Sequence, residues 1–172
     1  KIQQAEGMRS EIRRSTAGLT NFIVAKSTSG EKGKEWAKPY LSMASSFDRM
    51  TYNIEGIIDQ VKRKASEHIL FSDRGVKEVN EVFQEAMDLL EGLPELISTE
   101  NKQLARHMGE RVRAVIKIAS GFSEEHEERL IQGICLPKSS PIYLGILESL
   151  KGVITHVLEV SGKIVTLSSS KS

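Results

Sequence analysis

Apolar residues recur along this chain at alternating steps of four and three, in five separate stretches. That spacing keeps one side of an α-helix apolar and is the seam of helices packed on helices. The sets are Met8, Ile12, (Ser15), Leu19, Phe22; Met43, Phe47, Met50, Ile54, Ile57, Val61; Val76, Val79, Phe83, Ala86, Leu90, Leu93, Ile97; Met108, Val112, Val115, Ala119, Phe122; and Tyr143, Leu147, Leu150, Ile154, Val157, with Ser161 in phase and Ile164 beyond. No stretch alternates with period two, so the chain is expected to be all-α. Five helices follow, separated at Ser27 to Gly33, before an N-cap at Ser72-Asp73, and at a loop from Gly133 to Ser140. Ser140-Pro141 reads as an N-cap followed by proline in the first turn. Pro94 predicts an end or kink of the third helix near Gly92-Leu93.

The register repeats. Met8, Ile12, Ser15, Leu19 and Phe22 each stand 100 residues before Met108, Val112, Val115, Ala119 and Phe122 (108 − 8 = 100). The set from Met43 to Val61 stands the same distance before the set from Tyr143 to Ser161, and the acids Asp48/Glu148 and Asp59/Glu159 keep that phase. Two helix pairs sharing one offset point to an internal duplication. The second pair is preceded by a helix near 73–97, which makes a three-helix unit. The first pair predicts a corresponding helix just before Lys1.

Composition narrows the function classes. The 172 residues are 39% hydrophobic and 27% charged, with 4 prolines and 5% aromatics, which suits helical bundles and disfavours a many-stranded barrel. The net charge of +1, with lysines and arginines interspersed among glutamates, gives no field for nucleic acid. A single cysteine, Cys135, excludes an internal disulfide and a Cys-based zinc site. No apolar run approaches the ~20 residues of a membrane span. Nucleotide loops, nucleophile elbows and kinase signatures are missing, so no enzymatic activity is expected.

The stretch Glu124-Glu125-His126-Glu127-Glu128-Arg129-Leu130-Ile131-Gln132-Gly133-Ile134-Cys135, followed by a Pro/Ser loop and Ile142-Tyr143-Leu144, resembles the PhoU-like domain at the C-terminus of sodium/phosphate cotransporters. Leu147-Glu148-Ser149-Leu150 to Val157-Leu158-Glu159 is similar to a further signature of that family. Phe47-Asp48-Arg49-Met50 to Asn53-Ile54 and Ile57-Ile58-Asp59 is similar to a second copy of it. The motif-level likeness covers 123–165 and the architectural one roughly 1–168. It implies two tandem three-helix bundles side by side, the first lacking its first helix: 1–68 as the first repeat, 72–168 as the second, and 169–172 as a polar tail. It also implies a non-catalytic regulator of phosphate transport. Such a domain would lie in the cytoplasm at the inner membrane face, with an upstream transmembrane transporter portion or a phosphate-transport component as partner. A homo-oligomer is compatible, and a helical scaffold unrelated to phosphate is the alternative.

PhoU proteins hold metal clusters, of iron or zinc, through Glu/Asp-x-x-x-Asp motifs, because carboxylates four apart share a helix face. Here those positions read Asp48-x-x-x-Tyr52 and Glu148-x-x-x-Gly152. Each has lost its second acid, and the resemblance sets Arg13 and Arg113 on the facing helices. No metal or other cofactor is therefore expected. Arg13–Asp48 and Arg113–Glu148 are expected as structural ion pairs in place of metal. Other candidates read blandly. His126 is a partly exposed helix-end histidine. His68, His107 and His156 lack metal-ligand spacing. Cys135 is a loop thiol, and Lys62-Arg63-Lys64 complements a helix end. Gly145, Gly152 and Gly162 suit a close helix approach, and Trp36 with Tyr40 suits a staple over the bundle end.

Overall fold

The computed structural model describes residues 1–28 and 30–170, with the side chains of 168–170 left aside. The described residues form five α-helices: α1 Ile2–Ser27, α2 Glu31–Ser66, α3 Asp73–Thr99, α4 Lys102–Ile131 and α5 Ser140–Ser170. The all-α expectation holds. The tail expected at 169–172 belongs to α5 as far as Ser170, and its last two residues fall outside the described region.

The ends of the helices follow local chemistry. The Ser72 hydroxyl accepts from the Gly75 amide at 3.1 Å and starts α3. Asn101 does the same for α4, accepting from Gln103 and Leu104. Past the end of α4, Gly133 takes φ +71°, and the Ile134 amide reaches back to the Arg129 carbonyl at 2.9 Å, closing a Schellman turn. Pro94 does not end α3. The helix runs through it to Thr99, because buried Leu93 and Leu96 on either side anchor both halves to one core.

α5 is the hub. It packs on α2, α3 and α4, whereas α1 packs on α2 alone. Its seam is accordingly wider than the sequence pattern: Ile142, Ile146, Val153 and Val160 are buried along with Tyr143, Leu147, Leu150, Ile154 and Val157. A single main core joins α2 to α3, α4 and α5. In α3 the buried row is Gly75, Glu78, Val82, Ala86, Leu89, Leu93 and Leu96. The apolar reading had placed Val76, Phe83 and Ile97 there, and all three are exposed. The row is shifted by one residue except at Ala86 and Leu93, and it includes a carboxylate, Glu78.

Small residues bring α2 and α5 together. A Cβ on Gly152 would stand 2.4 Å from Asn53 Oδ1, one on Gly56 2.7 Å from Ser149 Oγ, and one on Gly145 3.0 Å from Gln60. Ser46 donates to Glu159 at 2.8 Å. The pairs 46 with 159, 53 with 152, 56 with 149 and 60 with 145 advance on one helix as they retreat on the other, so α2 and α5 are antiparallel. Subtracting the offset of 100, position 53 faces 52, 56 faces 49, 60 faces 45 and 46 faces 59. Such a pairing reads nearly the same in both directions, like an isologous dimer contact whose axis runs beside Asn53 and Gly152.

Candidate functional site

Two features stand out. The first is a buried polar cluster holding α3, α4 and α5. Glu78 on α3 is 4% exposed and accepts from four donors. Arg129 on α4 binds both carboxylate oxygens, Nη1 to Oε1 at 2.9 Å and Nη2 to Oε2 at 2.8 Å. Arg74 Nε donates at 2.9 Å, and the Tyr143 hydroxyl of α5 at 2.5 Å. A bidentate arginine with every remaining lone pair engaged is the arrangement that lets a buried carboxylate stay charged. Burial works against that charge, but the bonds from Arg129, Tyr143 and Arg74 outweigh it and hold the Glu78 carboxyl below its usual range. Burial and the bond to Glu78 together raise the Tyr143 hydroxyl.

His126 belongs to the same cluster. Its ring stacks on Tyr143 with centroids 4.3 Å apart, and Nε2 meets Ser140 Oγ at 2.9 Å. The side chain is buried, not partly exposed as the sequence implied, because Ser140 and Tyr143 of α5 close over it. Burial and the neighbouring Arg129 guanidinium lower its pKa. A small cleft of about 250 Å³ opens beside it between the 70–72 and 134–139 loops, with Cys135 on its wall.

The second feature is an apolar groove of about 830 Å³ between α1, α2 and α3. α1 contributes Met8, Ile12 and Leu19, α2 contributes Phe47, Met50 and Ile54, and α3 contributes Leu90, Leu93, Pro94 and Ile97. Glu11 is the single charged residue in its lining. A smaller apolar hollow sharing Leu19, Phe47 and Ile97 continues it past Phe22 to Trp36 and Tyr40. Those two rings lie 4.9 Å apart. This was missed as a site because the seam of α1 reads as core. In fact α1 rests on α2 through another face, with Thr16 and Ile23 buried and the pairs Arg9–Glu55 and Lys62–Glu6 along it.

The six positions singled out by motif do not gather into one site. The Arg13 guanidinium lies 3.8 Å from Glu55, about two turns beyond Asp48 on α2. Asp48 takes no ion pair among the described residues and is exposed, as is Tyr52. Glu148 pairs with Lys151 at 2.7 Å on its own helix, so the structure does not join it to Arg113, which is exposed. Gly152 backs onto Asn53 at the α2–α5 contact. Among the described residues no three His, Cys, Asp or Glu side chains lie close enough together to hold a metal ion, and no helix is long and apolar enough to cross a membrane. No protein-family model, curated protein or solved structure matches the chain, so its function is argued from these residues.

Proposed function

We propose that this chain is a PhoU-like regulatory domain without chemistry of its own, modulating phosphate transport as the cytosolic part of a sodium/phosphate cotransporter family protein. Its architecture on this reading is two helical repeats side by side, the first lacking its first helix. The shared offset of 100 and the self-complementary α2–α5 pairing support the duplication. The run from Glu124 to Cys135 supports the family, and its His126 and Arg129 are the residues that build the buried cluster. The observation that carries the regulatory role is the open apolar groove, a surface suited to another protein segment rather than to a reaction.

The test is phosphate uptake by the parent protein with residues 1–172 intact, deleted, or carrying Ile12→Asp in the groove. The proposal expects a change in uptake of several-fold on deletion and a smaller change of the same sign for the point variant. Uptake unaltered by either change discards the phosphate reading. The helical scaffold would then stand in its place, favoured by a groove whose lining offers one carboxylate and no cation for phosphate.

A further inference from the structure

The four most exposed leucines and isoleucines among the described residues sit at one end of the bundle. Leu70 is 77% exposed, Ile131 86%, Ile134 67% and Leu136 69%, whereas the next, Leu19, is 43%. α2 and α4 end here and α3 and α5 begin here, so the loops at 67–72 and 132–139 lie side by side. Leu70 on the first loop and Ile134 and Leu136 on the second border the same small cleft beside His126. Lys138 Nζ on the second loop stands 3.9 Å from Glu67 on the first. One exposed aliphatic side chain is ordinary, but four grouped on adjoining loops are not. The helix stops do not require them. Past the end of α2, Ile69 closes the turn and is buried, whereas Ile134 closes the matching turn past α4 and is left in water.

This end also carries the chain's positive charge. The two loops with the adjoining turns of helix, 62–78 and 127–144, hold 7 Lys and Arg against 5 Asp and Glu, which is 7 − 5 = +2. The whole chain is +1, so the remainder is −1. Lys138 is 70% exposed, and Lys64 Nζ lies over the Phe71 ring, 5.1 Å from its centroid. We propose that this end of the bundle docks on an anionic phospholipid surface. Leu70, Ile131, Ile134 and Leu136 enter the headgroup region, and Lys64 and Lys138 meet the lipid phosphates. A protein partner would be met by aromatic or arginine anchors set in a packed patch. Here the side chains are aliphatic and stand clear of their neighbours, and a bilayer interface takes them without a matching shape.

Vesicle flotation of residues 1–172 tests this, with phosphatidylcholine alone or with about 30% phosphatidylserine added. Binding is expected to the serine-containing vesicles, about tenfold or more above the neutral ones. Leu70→Ser combined with Leu136→Ser should lower it by about tenfold or more. Lys64→Gln combined with Lys138→Gln should lower it several-fold. Phe22→Ser, exposed at the other end of the molecule, should leave it unaltered. The substituted loop residues are exposed, and unfolding midpoints check that the variants keep the fold. A second readout is an environment-sensitive dye on Leu136→Cys, with Cys135→Ser. Its emission should rise and shift to the blue on anionic vesicles, and the same dye on exposed Tyr52→Cys should not respond. Absence of binding to either vesicle overturns the proposal in favour of a protein surface at these loops. Equal binding to both vesicles, binding that survives the double serine variant, or a dye at 136 that does not respond also overturns it. The proposal makes no use of phosphate or of any upstream segment. Vesicle binding with unaltered phosphate uptake would discard the proposed function and leave this proposal standing, and altered uptake without vesicle binding would do the reverse.

Discussion

α1 and α4 carry seams in the same register, and only α4 buries its own. α4 is enclosed by α3 and α5, and it is further tied in by the Arg129–Glu78 bond pair. α1 packs on α2 alone, through a small apolar cluster of Ile23 with Ala37 and Ala44 and through partly exposed ion pairs. An apolar pattern thus specifies which face of a helix can be buried. Whether it is buried depends on a neighbour, and the same spacing serves as core in α4 and as open surface in α1.

The sharpest way to break this comparison is to remove one arginine from each of the two helices. Arg129→Met leaves Glu78 buried with an incomplete set of donors and is expected to cost about 3–5 kcal/mol. Arg9→Met removes a partner of Glu55 at a partly exposed site and is expected to cost less, about 1 kcal/mol. Urea unfolding midpoints measure both. Comparable losses would mean that α1 is held as firmly as α4.

Seam truncation asks the same question of the apolar side chains. Met108→Ala should destabilise by about 2–5 kcal/mol, since it empties space against Gly92 and the α3 core. Met8→Ala, 100 residues earlier, should stay within ~0.5 kcal/mol in residues 1–172. A large loss at Met8 would show that its face is already covered in solution.

Acid should loosen the packing of α3, α4 and α5 first. His126 has a lowered pKa in the folded state, so in a pH window just below its ordinary 6.5 the unfolded chain binds more protons than the folded one. Stability is therefore highest above that value, falls as pH drops through the window, and stops falling once the folded histidine is itself protonated. Glu78, also lowered, adds a second fall that begins near its ordinary 4.5. The slope from one such group is at most about 1.4 kcal/mol per pH unit. His126→Phe, which fills the stack on Tyr143 without titrating, should remove the first fall and keep the second. Unfolding midpoints between pH 7 and 4 decide it, and an unchanged first fall would assign the titration to another group.

Much of this was legible in the sequence, for physical reasons. Five apolar seams, Ser72 as a cap and Gly133 as a helix stop are local signals, and local chemistry decides them. The glycines of α5 pointed to close helix approach, and Gly145 and Gly152 do meet α2. Glu78 was not legible. A charged residue four places before Val82 reads as solvated, and its burial is made tolerable by Arg129, 51 residues away, together with Tyr143 and Arg74. The buried α3 row that includes it leaves Val76, Phe83 and Ile97 exposed and keeps Ala86 and Leu93 from the expected seam. The pairs expected at Arg13 and Glu148 found other partners for a simpler reason. Glu55 on α2 comes within 4 Å of Arg13, and Lys151 lies within one turn of Glu148 on its own helix. Motif position alone does not rank partners.

The smallest test concerns how the helices stop. α2 and α4 end in the same hydrogen-bond pattern. Ile69 donates to the Lys64 carbonyl at 2.9 Å as Ile134 does to Arg129, yet the left-handed residue is His68 at φ 51° in the first case and Gly133 at φ +71° in the second. A side chain in that conformation costs about 1–2 kcal/mol, part of which glycine gives back through its freer unfolded chain. His68→Gly should therefore raise stability by about 0.5–1 kcal/mol, and Gly133→Ala should lower it by about 1 kcal/mol. The His68 side chain is exposed, so little packing is lost to confuse the sign. Because Ile69 is buried beyond the turn, the strain at His68 is held by a core contact rather than relieved by fraying. If His68→Gly left stability unchanged, the end of α2 would be loose in solution, and the contrast with α4 would extend from α1 into α2.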